Sequence, residues 1–213
     1  MTHPLMQYLP PIQQAPQQQV HQRQPQQANG ASKYVGAIAT SYDAKRENDP
    51  KWTIEQRIIE GLLADLPEDT IVLDCPVGTG RFLPFYAAKG LQILGMDISL
   101  DMLKQAEQRD LPRSPKGDLR QGDVRATGLP DKSVDVSVNC RITRWLSPED
   151  CQQMLREMQR VARKRMIWTA RVANHPHART VELFEAALDG WKIVRNEAGV
   201  DLDYRILMAE PIA

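Results

Sequence analysis

Two glycines follow an acidic residue at the end of a short apolar run, and this is where the sequence first indicates ligand chemistry. The run covers residues 71–74, ends in Asp74 and is followed by Gly78 and Gly80. Glycine has no Cβ, so a ligand can approach the backbone closely at both positions. A helical pattern begins directly after Gly80, and the free N–H groups at the start of a helix bind polar or negatively charged ligand atoms. This loop therefore predicts a binding site.

A second acidic residue, Asp97, ends the next apolar run, about twenty residues after the loop. In a parallel sheet the carboxyl ends of the two strands meet at one edge, which places Asp97 beside the glycines. A carboxylate at that edge is suited to accept hydrogen bonds from the two hydroxyls of a ribose. The combination of strand, loop, helix and spaced acid favours a nucleotide-type ligand over an ordinary strand–helix–strand unit.

Four motifs, in the expected order, resemble those of the class I S-adenosylmethionine-dependent methyltransferases. They are Asp-Cys-Pro-Val-Gly-Thr-Gly at 74–80, Gly-Met-Asp-Ile-Ser at 95–99, Gly-Asp-Val at 122–124 and the strand at 134–140. The resemblance covers roughly residues 52–213. Pro76 departs from the family pattern, because it stands where the first glycine usually is; proline stiffens the turn and removes one N–H donor.

The resemblance implies S-adenosylmethionine as cofactor and S-adenosylhomocysteine as product. It implies that Asp97 holds the ribose and that Asp123 accepts the adenine amino group, while the glycines lie at the methionine end. Tyr42 is expected against the methionine end, or else on an ordinary surface helix. The complete cofactor set implied by the resemblance is Tyr42, Asp74, Pro76, Gly78, Gly80, Asp97, Ile98, Met102, Asp123, Val124 and Cys140.

The acceptor side of the site is less well defined by the sequence. His175 and His177 are candidates for a general base, because histidine titrates near neutral pH; a pair of solvated loop histidines is the alternative. Arg141 and Arg144 are placed either to pair with a carboxylate or phosphate on the acceptor or to be ordinary surface arginines. Trp145 is suited to stack on a planar acceptor or to pack under the next helix. No cysteine or histidine spacing indicates a metal site.

The elements that must position these residues form an α/β fold. The resemblance implies a doubly wound, mostly parallel sheet of seven strands in the order 3-2-1-4-5-7-6, with an antiparallel last strand. We predict strands at 71–74, 91–97, 118–121, 134–139 and 165–172, followed by a closing hairpin. Thr53, Ser99 and Ser147 are predicted to cap three helices, and a fourth helix is predicted at 180–188.

Residues 1–31 are rich in glutamine and proline and lack apolar periodicity, which predicts a disordered tail before a single domain at 32–213. The tail is either inert or an arm that docks a protein partner. Lys and Arg total 27, as do Asp and Glu, so net charge gives no support for a nucleic-acid partner. No run is apolar enough to span a membrane, and no secretory signal is expected. Three widely spaced cysteines indicate a reducing, cytoplasmic location.

The function predicted from these observations is methyl transfer from S-adenosylmethionine to an acceptor, most simply a small molecule. Three alternatives use the same ligand differently: aminopropyl transfer, a lyase reaction, and a binding module that senses the cofactor. Methylation of a nucleic acid or a protein stays open as a further alternative. Methylation of amino groups in DNA is disfavoured, because the Asn/Asp-Pro-Pro-Tyr sequence typical of such enzymes is not present.

Overall fold

A twisted sheet of seven strands forms the centre of the protein in a computed structural model that describes residues 33–109, 117–172, 178–198 and 204–212. The strands are β1 (Ile71–Asp74), β2 (Gln92–Asp97), β3 (Asp118–Gln121), β4 (Val134–Asn139), β5 (Ala162–Arg171), β6 (Trp191–Ala198) and β7 (Tyr204–Pro211). Their order across the sheet is β3-β2-β1-β4-β5-β7-β6, which confirms the predicted order. Strands β1 to β5 run parallel, and β7 runs antiparallel to both of its neighbours.

Helices cover both faces of the sheet. They are α1 (Ala37–Thr40), α2 (Pro50–Leu63), α3 (Leu83–Ala88), α4 (Leu100–Glu107), α5 (Pro148–Val161) and α6 (Val181–Glu185). On one face, residues of α2, α3 and α4 pack with Val72 and Ile167 of the sheet. On the other face, residues of α5 and α6 pack around Trp168. The central strands are therefore buried on both sides, as is usual for parallel sheets.

The helix caps explain where the helices begin. Ser99 Oγ accepts a hydrogen bond from Met102 N (3.3 Å) and Ser147 Oγ accepts one from Asp150 N (3.1 Å), so both predicted caps are confirmed. The predicted cap at Thr53 is wrong, because α2 begins at Pro50 and is capped by Asp49. Proline at the first helical position costs the helix no hydrogen bond, which favours this earlier start.

The length of two other elements also differs from the prediction. Strand β5 begins at Ala162, three residues before the predicted start, where Val134 of β4 is already its partner. Helix α6 ends at Glu185, because its last turn closes on Ala186, whereas the prediction extended to 188.

Some predictions fall outside the described residues. These are the tail at 1–31 and the candidate bases His175 and His177. Within the parts of the chain that the structure describes, no helix is long and apolar enough to cross a membrane.

Candidate functional site

The tips of β1 and β2 bring the glycine loop and Asp97 together at the carboxyl edge of the sheet. The Gly78 N–H donates to Asp97 Oδ2 (2.9 Å), and the Ser99 N–H donates to Asp97 Oδ1 (2.8 Å). Burial raises the pKa of Asp97, and the hydrogen bonds from the backbone N–H groups of Ser99, Gly78 and Ile98 oppose that rise. Each carboxylate oxygen has room for more than one hydrogen bond, so Asp97 keeps acceptor capacity for a ligand.

A small cavity opens beside this contact, and we call it the aromatic cavity because Tyr34, Tyr42, Trp52, Phe82 and Trp145 line it. Its volume is about 90 Å³. The nine predicted site residues that line it are Tyr42, Pro76, Gly78, Asp97, Ile98, Met102, Cys140, Arg141 and Trp145. The sequence did not identify the other seven residues that line it, which are Tyr34, Trp52, Val77, Thr79, Arg81, Phe82 and Ile142.

Residues 33–49, here called the N-terminal strap, lie against the mouth of the aromatic cavity. Ser99 Oγ donates to the Tyr34 carbonyl oxygen (2.5 Å), and the Gly36 N–H donates to Asp101 Oδ2 (2.9 Å). Asp43 accepts hydrogen bonds from Thr79 Oγ1 (2.7 Å) and from Arg109. These contacts tie the strap to the glycine loop and to both ends of α4.

Aromatic rings carried by the strap narrow the cavity. The Tyr34 ring makes edge-to-face contacts with the rings of Tyr42 (5.5 Å between centroids) and Trp145 (6.3 Å). Ligand pockets commonly enclose about 300–1,000 Å³. A ligand as large as a nucleoside therefore enters the aromatic cavity only when these rings move apart.

Asp74, at the tip of β1, does not line the aromatic cavity. Its side chain is buried, and the Tyr86 hydroxyl donates to its Oδ2 (3.2 Å). Burial raises the pKa of Asp74 to about 7. Its Oδ1 is buried and has no hydrogen-bond partner among the described residues. An unpartnered buried acceptor of this kind is unfavourable, and it is suited to receive a donor from a ligand.

Three other predicted cofactor residues also do not line the aromatic cavity. A Cβ added at Gly80 would come within 2.6 Å of Leu83 Cδ1 and 3.1 Å of Ala106 Cβ, so this glycine allows α3 and α4 to pack closely. Asp123 is paired with Arg125 at 2.6 Å; although burial raises the pKa of Asp123, hydrogen bonds from Arg125 hold it below its usual value. Val124, beside it, is buried in the core.

A buried glutamate that the sequence prediction missed joins the site to the rest of the fold. Glu55 of α2 is 1% exposed, and its carboxylate accepts hydrogen bonds from Arg81 (2.8 Å) and Arg141 (2.7 Å). It also accepts one from the Tyr204 hydroxyl (2.5 Å). One carboxylate thus holds the glycine loop, the end of β4 and the start of β7 in fixed positions.

A larger cavity of about 390 Å³ adjoins the aromatic cavity. We call it the cationic cavity; its lining residues are Lys45, Arg46, Asp49, Lys51, Glu55, Arg141, Thr143, Arg144, Arg171 and Tyr204. Arg141 lines both cavities, so they share a wall at the end of β4. Of the predicted acceptor residues, the structure places Arg141 and Arg144 here, whereas Trp145 faces the aromatic cavity.

Comparison with known protein families finds similarity to methyltransferases in the central part of the chain. Residues 72–165 match the family model described as a methyltransferase domain. The chain is 32% identical over 93 residues to the malonyl-(acyl-carrier protein) O-methyltransferase of Yersinia pestis, which is 44% of this chain and 33% of that protein. The chain thus spans about a third of the length of the first curated relatives that it matches.

Comparison with solved structures finds the same fold over most of the chain. The magnesium protoporphyrin IX methyltransferase of Synechocystis PCC 6803, solved with bound SAH, matches with a TM-score of 0.69 at 18% identity, over 84% of this chain and 97% of that one. The 4+2 cyclase SpnF matches with a TM-score of 0.60 at 18% identity, over 74% and 82% of the two chains. Residues 72–165 are therefore similar to a methyltransferase domain, and the chain shares the fold of solved methyltransferase structures.

Proposed function

We propose that this protein transfers the methyl group of S-adenosylmethionine to a small-molecule acceptor. The observation that carries the proposal is the contact between Asp97 and the Gly78 loop at the wall of the aromatic cavity. This contact joins a carboxylate suited to ribose hydroxyls to a loop that leaves its backbone open. The matches to methyltransferase sequences and structures support the same activity.

The residues at the strand tips fit the cofactor. Gly78 has a φ of +59°, and a Cβ built there would meet nothing closer than Met102 Cε at 3.7 Å, so there is open space in front of its backbone. Asp97 keeps free acceptor capacity for ribose hydroxyls. The unpartnered Oδ1 of Asp74 is suited to an ammonium group at the methionine end, either directly or through water.

Bound S-adenosylmethionine supplies a methyl group that is already activated by the positive charge on its sulfur. The chain has to orient the acceptor and exclude water. The rings of Tyr42, Trp52 and Trp145 give the aromatic cavity walls that exclude water and stabilise a cation. Cys140 also lines this cavity, and burial raises the pKa of its thiol, so it stays neutral near pH 7.

The cyclase with the same fold is a reason to test the chemistry directly, because a shared fold does not determine activity. The experiment is incubation of the full chain with S-adenosylmethionine carrying an isotopic label on its methyl group, together with a broad panel of small acceptors. We expect label in at least one acceptor and a matching release of S-adenosylhomocysteine. Tight binding of the cofactor without label transfer to any acceptor would contradict methyl transfer and favour a sensing module.

Three finer points of the function also stay predictions of the sequence. They are the cytoplasmic location, the docking of a protein partner by the glutamine-rich tail, and the roles of Gly80, Asp123 and Val124 in holding the cofactor.

A further inference from the structure

Positive charge is concentrated in the cationic cavity of a chain whose net charge is zero. Six cationic side chains line the cavity, against two acidic ones. The cationic side chains are those of Lys45, Arg46, Lys51, Arg141, Arg144 and Arg171. Because Lys and Arg equal Asp and Glu in number over the sequence, this imbalance is local. A cavity lined mainly by one sign of charge attracts ligands of the opposite sign.

The two acidic residues of the cavity are already engaged. Glu55 is held by Arg81, by Arg141 and by the Tyr204 hydroxyl. Asp49 Oδ1 accepts the Lys51 N–H (2.9 Å) as the cap of α2. Neither carboxylate forms an ion pair with Arg144 or Arg171.

Arg144 is the clearest unsatisfied donor in the cavity. Its Nε is buried and has no hydrogen-bond partner among the described residues. Its guanidinium lies 4.6 Å from the centre of the Trp145 ring, which holds the side chain without neutralising its charge. A buried donor without a partner is costly, and an anionic group bound beside it would remove that cost.

Arg171 extends this donor set to the end of β5. Its guanidinium lies 5.7 Å from the centre of the Tyr204 ring, and it pairs with no acidic side chain in the described parts of the chain. Arginine presents a planar fork of donors that matches the geometry of carboxylates and phosphates. Arg144 and Arg171 are therefore the two residues best suited to hold such a group.

The shared wall places this anion site next to the methyl donor site. Arg141 has a φ of +62°, an unusual conformation for a residue with a side chain. Its N–H donates to Thr169 Oγ1 (2.7 Å) and its side chain to Glu55, which together hold this conformation. Arg141 is thus a fixed part of the wall between the two cavities.

We infer that the methyl acceptor is a small molecule that carries a carboxylate or phosphate group, and that Arg144 and Arg171 bind this group in the cationic cavity. That the bound molecule is the methyl acceptor rests on the proposed function. The anion site itself is defined by this chain's own residues. The cavity volume of about 390 Å³ suits a small molecule, because such pockets commonly enclose about 300–1,000 Å³.

The test is an NMR titration of the full ¹⁵N-labelled chain with S-adenosylhomocysteine present. The probes are succinate, inorganic phosphate and the neutral succinamide, which matches succinate in size. We expect succinate, phosphate or both to shift the Nε signals of Arg144 and Arg171 in a saturable way, and succinamide to leave them unchanged. The anion that binds with the higher affinity shows whether the site prefers a carboxylate or a phosphate.

Variants separate this site from general surface charge. Arg144→Gln and Arg171→Gln should each weaken anion binding at least tenfold, whereas Arg144→Lys should weaken it less, because lysine keeps the charge but lacks the planar fork of donors. Arg156→Gln is the matched control, since Arg156 is an exposed arginine of α5 that lines a different groove. The amide spectra show whether each variant is folded, and Arg171→Gln tests the site if the Arg144→Gln variant does not fold.

The outcomes distinguish the two claims. If S-adenosylhomocysteine binds but neither anion does, or if Arg144→Gln and Arg156→Gln bind the anions equally well, the anion site is wrong and the proposed function is unaffected. If S-adenosylhomocysteine does not bind the wild-type chain, the proposed function is wrong, whatever the anions do.

Discussion

Asp74 and Asp97 end neighbouring strands, yet the protein surrounds their carboxylates very differently. Asp97 receives hydrogen bonds from the N–H groups of Gly78 and Ser99, whereas Asp74 receives one from the Tyr86 hydroxyl. A single hydrogen bond offsets only part of the cost of burying the charged carboxylate of Asp74. Its pKa therefore rises to about 7. Its charge near neutral pH therefore depends on what binds beside it.

The raised pKa of Asp74 predicts a change of stability with pH. Its pKa is higher in the folded protein than in the unfolded chain, so the folded state binds more protons between about pH 4 and pH 7. The contribution of Asp74 to the free energy of unfolding should therefore fall as pH rises through that window. Since one pKa unit corresponds to about 1.4 kcal/mol, the loss should reach at most about 4 kcal/mol.

Urea unfolding at several pH values, compared between wild type and Asp74→Asn, measures this contribution. The variant cannot ionise, so it should gain stability relative to wild type as pH rises from 4 to 7. Titrating groups that do not interact with Asp74 are present in both proteins and cancel in the difference. A difference that stays constant with pH would show that Asp74 ionises as readily in the folded protein as in the unfolded chain.

The two glycines of the loop should respond differently to alanine. Gly78 and Gly80 both have positive φ, which costs an alanine about 1–2 kcal/mol. At Gly80 the added methyl also meets Leu83, which is 1% exposed, and Ala106, so overpacking adds about 1–3 kcal/mol. Urea unfolding should show Gly80→Ala to be clearly less stable than Gly78→Ala. Equal losses would contradict the distinction between a packing glycine and a ligand-facing one.

At the scale of elements, the site depends on contacts that join distant parts of the chain. The position of Asp97 beside the glycine loop was predictable. Parallel strands end at one edge of the sheet, and Asp97 follows the loop by about twenty residues. The contact of Glu55 with Tyr204 was not predictable, because 149 residues separate them and no local period relates α2 to β7. Glu55 shows only a weak signal, as an acidic residue spaced four and eight residues before Ile59 and Leu63, with which it shares the buried side of α2.

The N-terminal strap is predicted to loosen when its main polar contact is removed. Asp43→Ala removes the acceptor for Thr79 and Arg109, so hydrogen exchange in the described residues 36–48 should speed up, by about tenfold, which corresponds to one modest hydrogen bond. Glu47→Ala, at an exposed position in the same strap, is the control and should leave the exchange unchanged. Similar exchange in both variants would mean that Asp43 does not hold the strap.

At the scale of the whole molecule, the sequence predicted the architecture well. The family resemblance is confirmed by the match over residues 72–165, and the strand order is confirmed along the whole sheet. Apolar runs of strand length separated by helical patterns indicate an α/β sheet, whereas the order of its strands was implied by the family resemblance. The cationic cavity was only partly predictable, because Lys45, Arg144 and Arg171 come from the strap, a short 3₁₀ helix and a strand that meet only in three dimensions.

Truncation tests the predicted boundary between the tail and the domain. The tail, residues 1–31, lies outside the described residues. Removing 1–31 should change the melting temperature by less than about 2 °C, because about 1 kcal/mol shifts a domain of this size by 2–4 °C. Removing 1–48 also deletes Tyr42 and Asp43, with their contacts to Trp52 and Thr79, and should lower the melting temperature further. Equal effects of the two deletions would contradict a boundary at residue 32.

The central claim is that Asp97 and the Gly78 loop hold an adenosyl ligand, and calorimetry with S-adenosylhomocysteine tests it most directly. The wild-type chain should bind, and Asp97→Ala should bind more weakly by about 1.5–3 kcal/mol, the range for hydrogen bonds to a charged group. Asp131→Ala is the control, because that carboxylate is 75% exposed and lines neither cavity, so its affinity should equal that of wild type. Equal affinity in the Asp97→Ala variant, or no binding by the wild-type chain, would contradict the account.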